Sequence, residues 1–220
     1  MKPRICVPIT AATTKTAIAQ IAKANRLADI IELRLDYTQE PDIPRLVKAC
    51  RKPVIATARS RKEGGRLKLA HRKRSDMLLQ AIRSGADFAD IELSSPPAFR
   101  KGLNCRVILS YHNFRETPKD LRKIYGKIKE QKPFIAKIAT YARTQDDQIR
   151  LLDLLCQAKE DKQRLIVVAM GPNGRLSRII GPFLGSYLTY ASLGPESAPG
   201  QISIVKLKKL YKYLPFSAGG

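Results

Sequence analysis

The chain is predicted to be an α/β protein, a single-domain (β/α)8 TIM barrel. Eight short strand-like runs alternate with segments of helical apolar spacing from end to end. Polar residues able to do chemistry sit at the ends of those runs, where barrel enzymes collect them. No composition break, fixed-period repeat or low-complexity tract interrupts the order. Alternating βα units build a parallel sheet, and eight of them close it. At 220 residues the chain lies near the low end for that fold and can bury a substantial core. A doubly wound open sheet is the alternative, but no Gly-x-Gly-x-x-Gly or phosphate-loop pattern opens a helix. The barrel is assigned to residues 1–213 and a tail to 214–220, ending in the small, polar Ser217-Ala218-Gly219-Gly220.

In order, strands are expected at 4–9, 29–35, 53–59, 87–93, 105–111, 133–140, 164–169 and 187–191. Helices are expected at 14–26, 42–50, 71–84, 117–130, 143–159 and 203–213, where apolar residues recur at helical spacing. Thr144-Gln145-Asp146-Asp147 starts one helix ahead of Ile149, Leu152 and Leu155, and Thr117-Pro118 opens another. Short loops with Gly, Pro, Asn or Asp punctuate the rest.

Composition narrows the function. With 44% hydrophobic and 27% charged residues the chain is ordinary and globular. No apolar stretch approaches the roughly 20 residues that cross a bilayer, and Met1-Lys2-Pro3-Arg4 leads straight into a strand, so no membrane contact and a cytoplasmic location are expected. Cys6, Cys50, Cys105 and Cys156 are far apart, and only His71 and His112 stand beside them as metal ligands. They suggest reduced packing residues and no metal. The net charge of +22 raises nucleic-acid binding as an alternative, concentrated between Arg59 and Arg74. No aromatic residue interleaves there and no nucleic-acid motif accompanies it, which favours a solvated basic face that draws in a small anionic substrate.

Lys137 is the residue that points to chemistry. It lies in the apolar run Phe134-Ile135-Ala136-Lys137-Ile138-Ala139-Thr140. Strand alternation puts Ile135, Lys137 and Ala139 on one face and Phe134, Ala136 and Ile138 on the other, and neither face is wet. A buried ammonium without a partner tends to shed its proton, and the neutral amine attacks carbonyls. Lys137 is therefore a candidate Schiff-base lysine; the competing reading is an edge-strand lysine that reaches to water.

The other strand ends add to it. The second carries Glu32 and Arg34, two apart and so on one face; the third ends at Arg59 and runs into Glu63-Gly64-Gly65; the fourth ends Ile91-Glu92-Leu93; the fifth ends Ser110-Tyr111-His112-Asn113. Each alone has a structural explanation, Glu32 with Arg34 as a buried ion pair for instance. Their coincidence at one end of consecutive strands does not.

These residues also carry a resemblance. Glu32-Leu33-Arg34-Leu35-Asp36, Arg59-Ser60-Arg61-Lys62-Glu63-Gly64-Gly65, Ser110-Tyr111-His112-Asn113-Phe114 with Thr117-Pro118, Lys137-Ile138-Ala139, Ser177-Arg178 and Ser197-Ala198-Pro199-Gly200-Gln201 resemble, in order, the motifs of the type I 3-dehydroquinase family. The resemblance implies a cofactor-free barrel that dehydrates 3-dehydroquinate to 3-dehydroshikimate in the shikimate pathway. It implies that Lys137 forms the imine, that His112 acts as general base and then general acid, and that Glu63 orients His112. Glu32, Arg34, Arg59, Arg178, Ser197 and Gln201 would hold the substrate, with Arg178 on its carboxylate and the loop from Gly194 to Gln201 closing over it. One departure stands out: the first strand, Cys6-Val7-Pro8-Ile9-Thr10, lacks the serine that many family members carry near Val7 or Pro8, so that one substrate contact is either missing or moved to Thr10. A different lysine-dependent lyase or aldolase is the remaining enzyme alternative, and a homodimer is left open.

Overall fold

The structure, a computed structural model, describes residues 2–100, 103–194 and 200–214. Eight parallel strands form one sheet: β1 (Ile5–Ile9), β2 (Ile30–Arg34), β3 (Val54–Thr57), β4 (Phe88–Glu92), β5 (Arg106–Asn113), β6 (Ile135–Tyr141), β7 (Leu165–Met170) and β8 (Thr189–Tyr190). Their order is β7-β6-β5-β4-β3-β2-β1-β8. The two end strands meet where the Tyr187 N–H donates to the Leu165 carbonyl at 2.8 Å, so the sheet curls into a nearly closed barrel. Helices α1 (Thr14–Leu27), α2 (Ile43–Ala49), α3 (His71–Arg83), α4 (Leu121–Lys129), α5 (Gln145–Glu160), α6 (Arg175–Ile180) and α7 (Ile204–Tyr213) connect the strands. Each expected strand and helix has a counterpart within a few residues, and the fold is the expected (β/α)8 barrel.

The differences have local causes. Thr117-Pro118 does not open α4: the Thr117 hydroxyl bonds Thr140 and the Tyr141 carbonyl instead, and the helix begins after Asp120. Thr144 caps α5 as expected, accepting from the Asp147 N–H at 3.2 Å in a reciprocal capping box. Helix α6 went unforeseen because six residues between Gly174 and Gly181 are too few for a periodic signal. All of the expected tail beyond Leu214 lies outside the described residues.

The core has an outer and an inner layer. Outward-facing strand residues such as Ile31, Leu33, Ala136 and Ile138 pack against the helices. Inward-facing residues change character along the strands. At the N-terminal end Ile30, Phe88, Ile108, Ile135 and Leu188 fill the barrel with hydrocarbon. Below them Phe134 and Tyr187 complete an aromatic plug, and Arg4, Arg106 and Arg164 lie over its rings at 4.2 to 5.5 Å. Two residues further along the same faces the side chains become Glu32, Asp90, Ser110, Lys137 and Tyr190. Period-two alternation thus delivers a dry floor and a polar storey above it from the same strands.

Surface chemistry is consistent with the composition. Arg61, Lys62, Arg66, Lys68, Arg72 and Lys73 are exposed, whereas Arg59 and Arg74 turn inward to acidic partners. Among the described residues no helix is long and apolar enough to cross a membrane.

Candidate active site

The polar storey opens at the C-terminal ends of the strands into a cavity of about 730 Å³. Glu32, Arg34, Arg59, Glu63, His112, Lys137, Arg178 and Gln201 all line it, as do Pro8 and Thr10 from the end of β1. The last expected residue, Ser197, lies outside the described residues, as does most of the loop expected to close over the site.

Lys137 is inside the barrel and only 4% exposed, which rules out the edge-strand alternative. It is not unpartnered, however. Its Nζ donates to Asp90 Oδ2 at 2.8 Å and to the Tyr190 hydroxyl at 2.9 Å, with Glu32 Oε1 at 3.7 Å. Asp90 and Tyr190 were missed in the sequence. The signal for Asp90 was present: in Phe88-Ala89-Asp90-Ile91-Glu92 it shares a face with Glu92. Asp90 also accepts from Arg59 NH2 at 2.8 Å and from the Ser110 hydroxyl at 2.6 Å. Burial alone would raise its pKa, but Arg59 and Lys137 together hold it well below the usual carboxylate range.

Glu63 and His112 form a second unit. Glu63 Oε2 and His112 Nδ1 are 3.0 Å apart, and Ser94 donates to the other carboxylate oxygen at 3.3 Å. Burial pushes the Glu63 carboxyl up to about 7 against the pull of Arg59. Burial also pushes His112 well below its ordinary value, and the cations Arg59 and Lys137 push it further. The imidazole is therefore neutral at rest.

The turn that returns Glu63 to the mouth depends on two glycines. Residues Arg61–Glu63 make a single 3₁₀ turn, and Gly64 follows at φ +85°, a left-handed conformation open to glycine. A Cβ on Gly64 would enter the Phe114 ring, which stacks at 15° to the His112 imidazole. A Cβ on Gly65 would strike the Arg59 carbonyl, which cannot yield as a side chain could. Gly65→Ala is expected to lower unfolding free energy by about 1–3 kcal/mol and to reduce activity by displacing Glu63. Urea titration beside kinetics checks both; unchanged stability and rate would refute the fit.

Arg34 reaches the mouth but is held in a bidentate pair by the buried Asp36, at 2.9 and 2.8 Å. Asp36 also accepts from the backbone N–H of Arg59 and of Arg66, tying the loop after β3 to β2. Glu32 accepts from the Thr57 hydroxyl at 2.8 Å.

Arg178 is fixed differently. Ser177 clamps the turn by donating to the Gly174 carbonyl at 2.6 Å and accepting from the Ala169 N–H at 3.2 Å. Thr189 and Tyr211 both donate to the Arg178 carbonyl, pinning α6 to β8 and α7. The residue is 7% exposed, and its guanidinium has no acidic partner among the described residues and leaves its Nε without an acceptor. Burial lowers its pKa to about 10, so it is still cationic at neutral pH. A buried cation with an unsatisfied Nε at a cavity wall has the chemistry that suits an anion. Among the described residues no group of three or more His, Cys, Asp or Glu is arranged to hold a metal ion.

Fold and centre together define a (β/α)8-barrel enzyme with a buried lysine, an imidazole–carboxylate pair and a cationic wall around one cavity. The profile of the type I 3-dehydroquinase family matches residues 5–216. The chain is 34% identical to the 3-dehydroquinate dehydratase of Methanococcus vannielii over 94% of its own length and 97% of the relative's. Among solved structures, the 3-dehydroquinate dehydratase of Aquifex aeolicus superposes with a TM-score of 0.80 at 30% identity, covering 97% of this chain and all of that one. That of Geobacillus kaustophilus, at 24% identity, shares the fold with a TM-score of 0.89 over 100% of this chain and 93% of its own. The chain belongs to the type I 3-dehydroquinase family.

Proposed function

We propose that the chain dehydrates 3-dehydroquinate to 3-dehydroshikimate through an imine at Lys137. The observation that carries this reading is the placement of three groups around one cavity: the Lys137 amine, the neutral His112 and Arg178, which has no acidic partner among the described residues. An anionic hydroxy-ketone needs those three things. The Arg178 fork takes the carboxylate, and the dry floor beneath Lys137 keeps the ring ketone against Nζ. Condensation expels the ketone oxygen as water and leaves a protonated imine, whose positive charge stabilises the electron pair left when the neighbouring proton departs. His112 removes that proton and returns it to the leaving hydroxyl, so that one water leaves and the imidazole ends as it began. A water then adds to the imine, restores the ring ketone and frees Lys137, so that one water is lost overall.

Glu63 sets which imidazole nitrogen can act. When ionised it accepts from Nδ1–H and leaves the Nε2 lone pair as the base; when protonated it donates to Nδ1 and leaves the hydrogen on Nε2. With the Glu63 carboxyl at about 7, kcat/KM is expected to fall as pH drops through that value. Glu63→Gln cannot titrate, so its profile should lack this limb. A limb that survives unchanged in the variant would remove Glu63 from the role.

Substituting Arg178 by Ala should raise KM by about 10²-fold, the worth of a charge-assisted bidentate contact, and leave the limb near 7 in place. Turnover itself is read from the absorbance of the conjugated product with 3-dehydroquinate as substrate. Inert protein in that assay, or equal turnover of unrelated hydroxy-ketone acids, would overturn the assignment.

A further inference from the structure

No step above uses Tyr190. It enters the barrel from β8, opposite Cys6 of β1, and its ring packs in the interior with Cys6, Ile166 and Val168. A phenylalanine would fill that space equally well. The hydroxyl is the additional feature, and it lies 2.9 Å from Nζ of Lys137. Nζ donates to the phenol oxygen, while the phenol's own proton has no acceptor among the described residues. A buried donor without an acceptor is costly. Because Tyr190 also lines the cavity, its proton is placed to meet an oxygen of whatever occupies the space. Burial, reinforced by the negative charge of Glu32, raises the phenol well above its ordinary value, so it remains a donor throughout the neutral range.

We propose that Tyr190 relays the proton that Nζ must lose when it adds to a ketone, and returns it when the adduct reverts. Attack forms the C–N bond and pushes the carbonyl pair onto oxygen, leaving a cationic nitrogen beside an alkoxide. The nitrogen passes one proton to the phenol oxygen while the phenol passes its own to the alkoxide. A neutral carbinolamine results, the phenol is regenerated, and no other reactant is needed. The same exchange in reverse frees the amine after hydrolysis. This role rests on the imine at Lys137.

The test is timed mixing with 3-dehydroquinate, a borohydride quench and peptide mass mapping, on the parent enzyme and Tyr190→Phe. The adduct is expected at Lys137 in both, accumulating about 10²-fold more slowly in the variant, within the usual range for a positioned proton donor. Equal rates would overturn the relay and leave the imine intact. An active parent enzyme that never traps an adduct would overturn the imine itself. Enzyme with 3-fluorotyrosine at position 190 keeps the ring in place should Tyr190→Phe prove unfolded. Its trapping rate should shift with phenol acidity, whereas a purely packing role predicts no change.

Discussion

Lys137→Ala is expected to leave no measurable turnover of 3-dehydroquinate and no borohydride-reduced adduct. Among the described residues nothing else in the cavity can replace a primary amine at the barrel axis: the other cations lining it, Arg34, Arg59, Arg66 and Arg178, are guanidiniums, which stay protonated and do not condense with ketones. The substitution has a second effect. Asp90 keeps Arg59 at 2.8 Å, but Glu32 loses its cation at 3.7 Å, and breaking a buried pair from one side costs about 3–5 kcal/mol. Thermal unfolding measured alongside kinetics separates lost chemistry from lost fold. A folded Lys137→Ala protein that still turns over substrate would end the mechanism, whatever became of its stability.

His112→Ala should slow elimination by about 10² to 10⁴-fold, the usual contribution of a positioned general base, while the adduct at Lys137 still forms. The two events separate because the imidazole is held by Glu63 on the β3 side of the mouth and the amine by Asp90 and Tyr190 at its centre. An accumulating imine with little product is the signature. Full activity in His112→Ala would remove the acid–base assignment and shift it to another group on the wall.

Much of this was legible in the sequence, for a specific reason. A strand that faces helices on one side and a barrel interior on the other must be apolar on both, so a lysine at position 137 was conspicuous. Glu32, Arg34, Arg59 and His112 stand out on a different ground, as polar residues at the C-terminal ends of consecutive strands. Two partners of Lys137 were less visible. Asp90 sits one turn of the pleat below the strand end, deeper than the loop-proximal positions at which barrel chemistry is expected. Tyr190 sits in a two-residue strand whose aromatic reads as packing until its hydroxyl is seen beside an amine. Arg178 was located, but not the short helix that aims it, because the Ser177 hydroxyl holds that turn through the Gly174 carbonyl and the Ala169 N–H, and a side-chain clamp leaves no periodic trace. The meaning of Glu63 was likewise hidden: its proton affinity comes from burial, which depends on the folded turn rather than on its neighbours in the chain.

The arginine-capped aromatic plug beneath Lys137 has a bearing on how the enzyme can be stopped. With that end filled among the described residues, the hydrolytic water of the proposed imine chemistry reaches the amine through the same cavity as the ligand. A compound that condenses with Lys137 and fills the vestibule above it bars its own escape, since it shuts out the molecule required to release it. Residence time on this chain should therefore scale with how completely an inhibitor plugs the entrance, even when its initial affinity is modest.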